Sequence, residues 1–353
     1  MALDIASTFL PMAPPQVIEG TYSEDQHSRL LAIARQAGPW QLILAQSFKA
    51  PEEVFATTTG SVPEGIDITW DMFLNPVFRG FLARDGVCLH PEIDDCFYNK
   101  KFLDLARGYA RTQYVEPDML MINLQGPTSA GGPPHVDGTH FRGMYANNAP
   151  IWLLNTMSKS GLFRRWQARK SQVIAWYYQG RIGGGFHYWP QGPQHSPQQL
   201  AAPMWGRGVV VENEMMFHTS QGCGPADQRK PAGLTIDSTI SADPQTPGAW
   251  RIMDDDRVVQ NIPEQEFRFL VHWNAMVYSD LAALSIARDH SDDITPDMAF
   301  DILIEDMKSR GEVFAIPTDP LRDIRFIKLL TRVYDIGEVR DVPADPVEET
   351  LVA

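Results

Sequence analysis

The sequence predicts an α+β fold in which a double-sheet jelly roll is framed by helices on both sides. From about Val115 onward, short apolar or alternating runs are separated by Gly and Pro, which is the pattern of an antiparallel sandwich or barrel. Helix start and stop signals lie before and after this region. We therefore predict one domain over residues 1–353: mainly helical framing over 1–114, a jelly-roll core over 115–242 and a helical C-terminal extension over 243–353.

Helices are predicted first in the N-terminal third. Ser23 and Gln26 form a capping-box pattern ahead of an apolar run that Gly38-Pro39 closes, which predicts a helix over 23–37. A second helix is predicted over 100–112.

The core is predicted from short strands with turn residues between them. Their number, about eight, fits a double-sheet jelly roll. The predicted strands cover 119–125, 134–140, 151–157, 172–179, 185–189, 208–212, 214–219 and 233–239.

Further helices are predicted around and after the core. The basic segment 161–170 is interpreted as a helix that packs Phe163 inward, and the chain is expected to turn helical again after Ile240. Thr295 as N-cap and Pro296 at the first helical position predict a helix that ends at Gly311. The acidic tail beyond Asp335 is expected to be disordered.

Composition excludes several classes of partner. Asp and Glu number 44 against 30 Lys and Arg, and the net charge of −14 would repel a phosphate backbone, so nucleic acid is not expected to bind. The 3 cysteines lack paired spacing and predict neither a disulfide framework nor a structural zinc site. We find no signal peptide and no membrane span, which predicts a soluble cytoplasmic protein. The oligomeric state is left open.

A histidine and a carboxylate stand two residues apart at His135 and Asp137, on a predicted strand. Because side chains alternate across a strand, both would point to one face and could bind one metal ion. Two other pairs of this kind are less suitable. His90-Pro91-Glu92 has proline at its centre, and His290-Ser291-Asp292 has no later histidine to complete a site.

A third ligand is expected from a later strand beside the first. His218 ends the apolar run 215–218 and completes the two-histidine, one-carboxylate facial triad that holds non-haem Fe(II). His187 is the alternative third ligand. Arg229 follows His218 and opens a predicted strand, where it could face into the barrel and pair with a cosubstrate carboxylate, with Lys230 as the competing candidate.

This set of residues resembles the Fe(II)/2-oxoglutarate-dependent dioxygenases, over roughly residues 115–242. The resemblance implies a double-stranded β-helix, with His135, Asp137 and His218 as iron ligands and Arg229 bound to the C5 carboxylate of 2-oxoglutarate. It also implies that O2 is consumed and that succinate and CO2 are released while a small organic substrate is hydroxylated or desaturated. Family members often have Ser or Thr two residues after the arginine, where this chain has Pro231.

Three further side chains are candidates for contacts to cosubstrate or substrate. Asn123 and Gln125 alternate on the strand before the ligand strand, and Tyr177 lies on a later strand. The identity of the substrate stays open. Two other functions are also compatible with the sequence: a metal-dependent oxygenase that does not use 2-oxoglutarate, and a jelly-roll binding protein without enzymatic activity.

Overall fold

The computed structural model describes residues 5–58, 65–130 and 132–347. In chain order its strands are β1 (Gln16–Ile18), β2 (Trp40–Leu42), β3 (Val77–Arg84), β4 (Val87–Cys88), β5 (Val115–Gln125), β6 (Arg169–Tyr178), β7 (Phe186–Trp189), β8 (Gln198–Leu200), β9 (Met204–Val211), β10 (Phe217–Ser220), β11 (Thr239–Ala242), β12 (Trp250–Asp254), β13 (Arg257–Ile262) and β14 (Arg268–Val277). The α-helices are α1 (Glu24–Gln36), α2 (Ile43–Ser47), α3 (Glu53–Thr57), α4 (Asp94–Phe97), α5 (Lys100–Ala110), α6 (Ile151–Ser160), α7 (Leu281–Asp289), α8 (Pro296–Ser309) and α9 (Ile324–Val333).

A large antiparallel sheet forms the centre of the molecule. Its order is β1-β9-β6-β14-β5-β3-β2-β11-β12-β13, and β4 pairs with β3 to make 11 strands. β14 lies between β5 and β6 and pairs with β5 along its whole length and with β6 from Phe269 to Val277. The latest strand in the sequence is therefore one of the innermost strands of the sheet.

A smaller sheet of 3 strands, in the order β10-β7-β8, lies against the large one. An apolar cluster joins the two, with Ile174 and Trp176 of β6 on one side and Phe186 of β7 on the other. The ring centroids of Trp176 and Phe186 are 5.2 Å apart. Two antiparallel sheets packed face to face confirm the predicted α+β jelly roll of the double-stranded β-helix type.

The outer face of the large sheet is covered by the N-terminal helices. Phe102 of α5 packs edge-on against Trp273 of β14, with ring centroids 5.7 Å apart, and the Trp273 indole N–H donates to the Phe97 carbonyl at 2.7 Å. A second apolar cluster joins α6, α8 and α9 around the fully buried Trp152 and Leu303. The sheet is therefore supported from outside, and its inner face is left for the site.

Three helix predictions are confirmed because their signals are local. Ser23 caps α1, and its capping box with Gln26 is formed in both directions. α5 covers most of the segment predicted over 100–112. Thr295 caps α8 by accepting a hydrogen bond from the Met298 amide, with Pro296 in the first turn.

Two segments were assigned to the wrong kind of element. Residues 151–157, predicted as a strand, form helix α6. Residues 152–160 of α6 are all buried, so its apolar run shows no amphipathic period that would distinguish a helix from a buried strand. Residues 161–166 form turns rather than a helix, although Phe163 is buried as expected.

The boundaries of the strand-rich core were also predicted wrongly. Residues 134–140 make only one isolated β-bridge, and 233–238 form turns. The segment after Ile240 contains strands β12 to β14 before it becomes helical, and the region 1–114 contributes β1 to β4 to the large sheet. The predicted extension and framing therefore supply strands as well as helices.

The segment 336–347 has no helix or strand, but it packs against the barrel instead of being disordered. Its Val339 is buried beside Val136 and Phe217, and Asp345 accepts hydrogen bonds from the amides of Ala130 and Gly222, both at 2.8 Å. Residues 348–353 of the predicted tail lie outside the described residues. The 3 cysteines are free thiols. Among the described helices, none combines the length and apolar character needed to cross a bilayer.

Candidate active site

His135, Asp137 and His218 come together at one end of the barrel. One possible ligand atom from each lies within 4.8 Å of the others. The two imidazole centroids are 4.7 Å apart, and the Nε2 atom of His218 is 3.6 Å from Oδ1 of Asp137. This is the arrangement that a facial triad for a divalent metal requires.

The backbone fixes the position of the three side chains. His135 and His218 form a reciprocal bridge, with N-to-O distances of 3.1 Å and 3.0 Å. The Asp137 amide donates to the Asn213 carbonyl at 3.1 Å. Residues 134–140 thus lie alongside β10 and the few residues that precede it, without forming a regular strand. The side chains of His135, Asp137 and His218 face each other where these two segments meet.

Both imidazole rings are oriented by backbone carbonyls. Nδ1 of His135 lies 3.0 Å from the Pro133 carbonyl, and Nδ1 of His218 lies 3.0 Å from the Met216 carbonyl. A carbonyl can only accept, so each Nδ1 carries the proton and each Nε2 keeps its lone pair for a metal ion. Oδ2 of Asp137 is buried without a hydrogen-bond partner.

The electrostatic surroundings keep His135 and Asp137 in the protonation state that binds metal. Burial, and then the neighbouring His218, lower the pKa of His135 to about 4. Burial alone would raise the pKa of Asp137, but the neighbouring histidines, His218 above all, hold it below its ordinary value. Neutral imidazole and ionised carboxylate are the forms that coordinate metal, so neither His135 nor Asp137 has to lose a proton to bind metal at neutral pH.

The cluster opens into a cavity of about 590 Å³, which we call the metal cavity. Its inner part is lined by the inward-facing residues of β5, β6 and β14. Its outer part is largely apolar and includes Ile43, Phe48, Val54 and Phe73. A mostly apolar cavity with a few convergent polar groups is typical of small-molecule sites.

Arg268 lies at the inner end of the metal cavity, at the start of β14. Its side chain is 1% exposed, and its Nε and Nη1 atoms donate to the Gly184 carbonyl at 3.1 Å and to Oε1 of Gln125 at 3.3 Å. Its Nη2 atom is buried and has no partner. The Gly184 carbonyl and the Gln125 side-chain amide are both uncharged, so they do not balance the positive charge of the Arg268 guanidinium. Burial lowers the pKa of the guanidinium, yet arginine stays protonated, and an anion at Nη2 would compensate it.

His272 follows on the same inner face of β14. It is 4% exposed, lines the metal cavity and has an unpartnered Nε2 atom. Burial lowers its pKa to about 3, although Asp137 opposes this shift. Arg268 and His272 thus place a permanent cation and a neutral imidazole along one wall of the cavity.

Of the three auxiliary candidates, two line the metal cavity and one does not. Asn123 accepts a hydrogen bond from Nε of Arg79 at 3.1 Å, and Gln125 holds Arg268. Tyr177 lies on the opposite face of β6, where it stacks on His27 with centroids 3.9 Å apart. The expectation that Tyr177 faces the barrel is therefore corrected.

Arg229 is also corrected, because it does not face into the barrel. Its guanidinium donates to the Gly224 carbonyl, at 3.0 Å and 2.8 Å, and to the Pro346 carbonyl, and it is absent from the described residues that line the metal cavity. It follows a short turn instead of opening a strand. The competing candidate Lys230 and the neighbouring Pro231 do line the cavity.

The alternative ligands lie away from the cluster. His187 pairs in register with Thr219, the residue after His218, and is not in the metal-ligand group of the described residues. His290 is exposed and pairs with Asp293 at 2.9 Å. Only the pair His135 and Asp137 meets a second histidine within ligand distance in the described chain.

A second, larger cavity of about 1280 Å³ adjoins the metal cavity at Asp137, Gly138 and Arg79; we call it the polar cavity. At its inner end Nζ of Lys170 lies 3.2 Å from Asp118 and 3.5 Å from Oε1 of Glu214. Glu214 is 3% exposed, and its Oε2 atom has no partner. Burial raises the pKa of Glu214 to about 8 against the opposing effect of Lys170, so Lys170 compensates a charge on Glu214 only in part and the carboxyl group holds a proton at neutral pH unless a further cation lies beside it.

Arg268 and His272 were missed because the sequence from 243 onward was interpreted as helical. A signal was present: Arg268, Leu270, His272 and Asn274 alternate with Phe269, Val271, Trp273 and Ala275. This period of two is the pattern of a strand that separates a polar inner face from an apolar outer face.

The fold and the cluster define the class: a double-stranded β-helix with two histidines and one carboxylate at the mouth of the barrel. Similar solved structures include an oxidoreductase of the 2OG-Fe(II) oxygenase family from Burkholderia pseudomallei (12% identity, 74% of this chain and 84% of that chain covered, TM-score 0.35). A prolyl hydroxylase from Trichoplax adhaerens, in complex with a hypoxia inducible factor oxygen degradation domain peptide fragment, has 8% identity, coverage of 79% and 87%, and a TM-score of 0.36.

HygX from Streptomyces hygroscopicus, with nickel and 2-oxoglutarate bound, has 8% identity, coverage of 75% of this chain and 83% of that chain, and a TM-score of 0.33. No protein-family model matches the sequence, and no curated protein of similar sequence was found. Because these identities and TM-scores are low, the fold assignment rests on the strand order and pairing described above.

Proposed function

We propose that this protein is an Fe(II)- and 2-oxoglutarate-dependent dioxygenase that hydroxylates, or desaturates, a small organic molecule. The observation that carries the proposal is the cluster of His135, Asp137 and His218, whose ligand atoms lie within 4.8 Å of one another beside an internal cavity. Two imidazoles and one carboxylate on one side of a metal ion suit ferrous iron and leave positions open for other ligands. The unpartnered Oδ2 of Asp137 and the fixed orientation of both rings support this fit.

The second part of the proposal concerns the cosubstrate. 2-Oxoglutarate is a dianion, and Arg268 offers a buried cation with a free N–H group in the same cavity as the metal ligands. We therefore assign the distal carboxylate of 2-oxoglutarate to Arg268 instead of Arg229. Gln125, which already accepts from Arg268, holds the guanidinium in place. Lys230, which also lines the cavity, is the competing residue.

The chain's own residues prepare the site for this chemistry. Bound iron and 2-oxoglutarate would together supply the activation of O2, with succinate and CO2 as coproducts. His135, Asp137 and His218 hold the metal in their deprotonated forms, and Arg268 orients the cosubstrate. The apolar outer wall around Phe48 and Phe73 limits the access of water to the centre.

The test is anaerobic addition of 2-oxoglutarate to the Fe(II)-loaded protein, followed by O2 and measurement of succinate. We expect a metal-to-ligand absorption band that requires both Fe(II) and 2-oxoglutarate. After O2 is added, we expect slow release of succinate even without substrate. The Asp137→Ala variant should show neither. An absorption band without succinate after a broad substrate panel, or iron binding without any 2-oxoglutarate band, would refute the proposal. The second result would indicate an oxygenase that does not use 2-oxoglutarate, and failure to bind metal would indicate a binding protein.

A further inference from the structure

The polar cavity contains an unsatisfied acidic group that the proposed chemistry does not use. Glu214 is 3% exposed, and while its Oε1 atom lies 3.5 Å from Lys170, its Oε2 atom is buried without a partner. A buried carboxylate oxygen without a hydrogen bond is costly, so its presence in a cavity indicates a group that arrives with a ligand.

The charges at this end of the cavity favour a cationic ligand. Asp118 and Glu214 share a single ammonium group, that of Lys170, so this cation cannot balance both carboxyl groups in their ionised forms, and a second cation at Glu214 would stabilise its carboxylate. The nearby amides are already engaged: Gln172 donates to Asn274 at 3.2 Å and accepts from the Asn213 amide at 2.7 Å. Arg79 is the other cation near the junction, and it borders both cavities.

The same charge balance separates the two ligands of the proposed reaction. A dianionic cosubstrate is attracted to Arg268 in the metal cavity, whereas the inner end of the polar cavity offers the carboxyl groups of Asp118 and Glu214. Glu214 directly follows Asn213, whose carbonyl binds the amide of the metal ligand Asp137. Asp137 lines both cavities, so a group bound in the polar cavity would approach the metal centre from the side of Asp137.

We propose that the polar cavity binds the primary substrate, and that this substrate is an amine whose ammonium group pairs with Oε2 of Glu214 beside Asp118. This inference rests on the proposed function, because the bound amine is a substrate only if the protein is the proposed enzyme. The binding step itself requires only the cavity and its charges. A charge-assisted hydrogen bond in a buried site is worth about a tenfold or greater preference for the charged partner.

The experiment compares amines with their uncharged forms on the Fe(II)- and 2-oxoglutarate-loaded protein under anaerobic conditions. The probes are L-lysine, 1,5-diaminopentane and D-glucosamine, each beside its N-acetylated counterpart, with binding measured by calorimetry. We expect at least one amine to bind about tenfold more tightly than its acetylated form, and we expect Glu214→Gln to reduce that preference to about twofold or less. Asp118→Asn removes the neighbouring carboxylate and serves as a second test if Glu214→Gln folds poorly. We expect it to reduce the preference for the amine by about threefold.

Asp85→Asn is the matched control. Asp85 is an exposed carboxylate at the mouth of the same cavity, and both its oxygens accept from Asn147, at 3.1 Å and 3.2 Å. This variant removes the same charge and should keep the full preference for amines. Equal binding of amines and acetylated forms, or a preference that survives both Glu214→Gln and Asp118→Asn, would overturn the inference. The absorption band of the iron and 2-oxoglutarate complex is recorded before any probe is added, and its absence would overturn the proposed function separately.

Discussion

Replacement of Arg268 is the most direct test of whether the metal cavity binds the proposed cosubstrate through this side chain. The side chain is 1% exposed and makes hydrogen bonds of 3.1 Å and 3.3 Å to neutral oxygens, which leave Nη2 free for an anion. Arg268→Ala removes this cation. Arg268→Lys keeps a positive charge but removes the planar fork that can bind a carboxylate through two N–H groups.

The expected loss can be worked out from these contacts. A buried pair between a guanidinium and a carboxylate includes hydrogen bonds worth about 1.5–3 kcal/mol each, and truncating one partner of such a pair costs about 2–5 kcal/mol. Removing a buried cation also relieves its own desolvation penalty, which reduces the net loss to about 2–4 kcal/mol. Arg268→Ala should therefore weaken 2-oxoglutarate binding by about 30- to 1000-fold, and Arg268→Lys by about tenfold.

The assay is titration of 2-oxoglutarate into the anaerobic Fe(II) protein, followed through the metal-to-ligand absorption band. Lys230→Ala is the control, because Lys230 lines the same cavity and lies in a loop beside Pro231. Metal content should stay unchanged in all three variants. The assignment to Arg268 is refuted if the affinity of Arg268→Ala for 2-oxoglutarate stays within about threefold of the wild-type affinity while Lys230→Ala loses affinity for 2-oxoglutarate.

Further predictions concern the metal, the misassigned arginine and acid stability. His218→Ala should reduce bound metal from about one to below about 0.1 per chain by elemental analysis, whereas His187→Ala should retain it. Arg229→Ala should lower the free energy of unfolding in urea by about 2 kcal/mol, since it frees the carbonyls of Gly224 and Pro346, and should leave 2-oxoglutarate affinity unchanged. The pKa of His272 is about 3 in the folded protein against an ordinary value of 6.5, so the unfolded chain binds more protons between these values. Stability of the metal-free protein should therefore fall by about 2 kcal/mol from pH 7 to pH 5 through His272 alone, and His272→Gln should show a correspondingly shallower slope.

Local signals in the sequence were sufficient for the elements that depend on local contacts. Ser23 and Thr295 cap their helices because a capping hydrogen bond reaches only three residues along the chain. The strand that carries Asn123 and Gln125 was also predicted. The triad was identified from residue types, and its three members do meet in space.

The rest depended on contacts that no local pattern contains. Residues 151–157 begin with four apolar residues, as a buried strand does, and because helix α6 is buried over residues 152–160 it has no solvent-exposed polar face that would mark it as a helix. An arginine that faces the cavity was expected directly after His218, whereas β11, β12 and β13 are inserted before the strand that carries the cavity-lining Arg268. Spacing along the chain could not reveal that β14, and not the segment after Arg229, lies between β5 and β6.

The inner position of β14 has a consequence for biosynthesis. Until β14 has been translated, β5 and β6 have no partner on the sides where it binds, and both present unpaired backbone groups. His218 is made about 50 residues before Arg268, so at about 5–20 residues per second the nascent chain carries the three proposed metal ligands for some seconds before the barrel can close. We expect chains that end before residue 268 to aggregate instead of forming a partial barrel, and their appearance in the insoluble fraction on expression would show it.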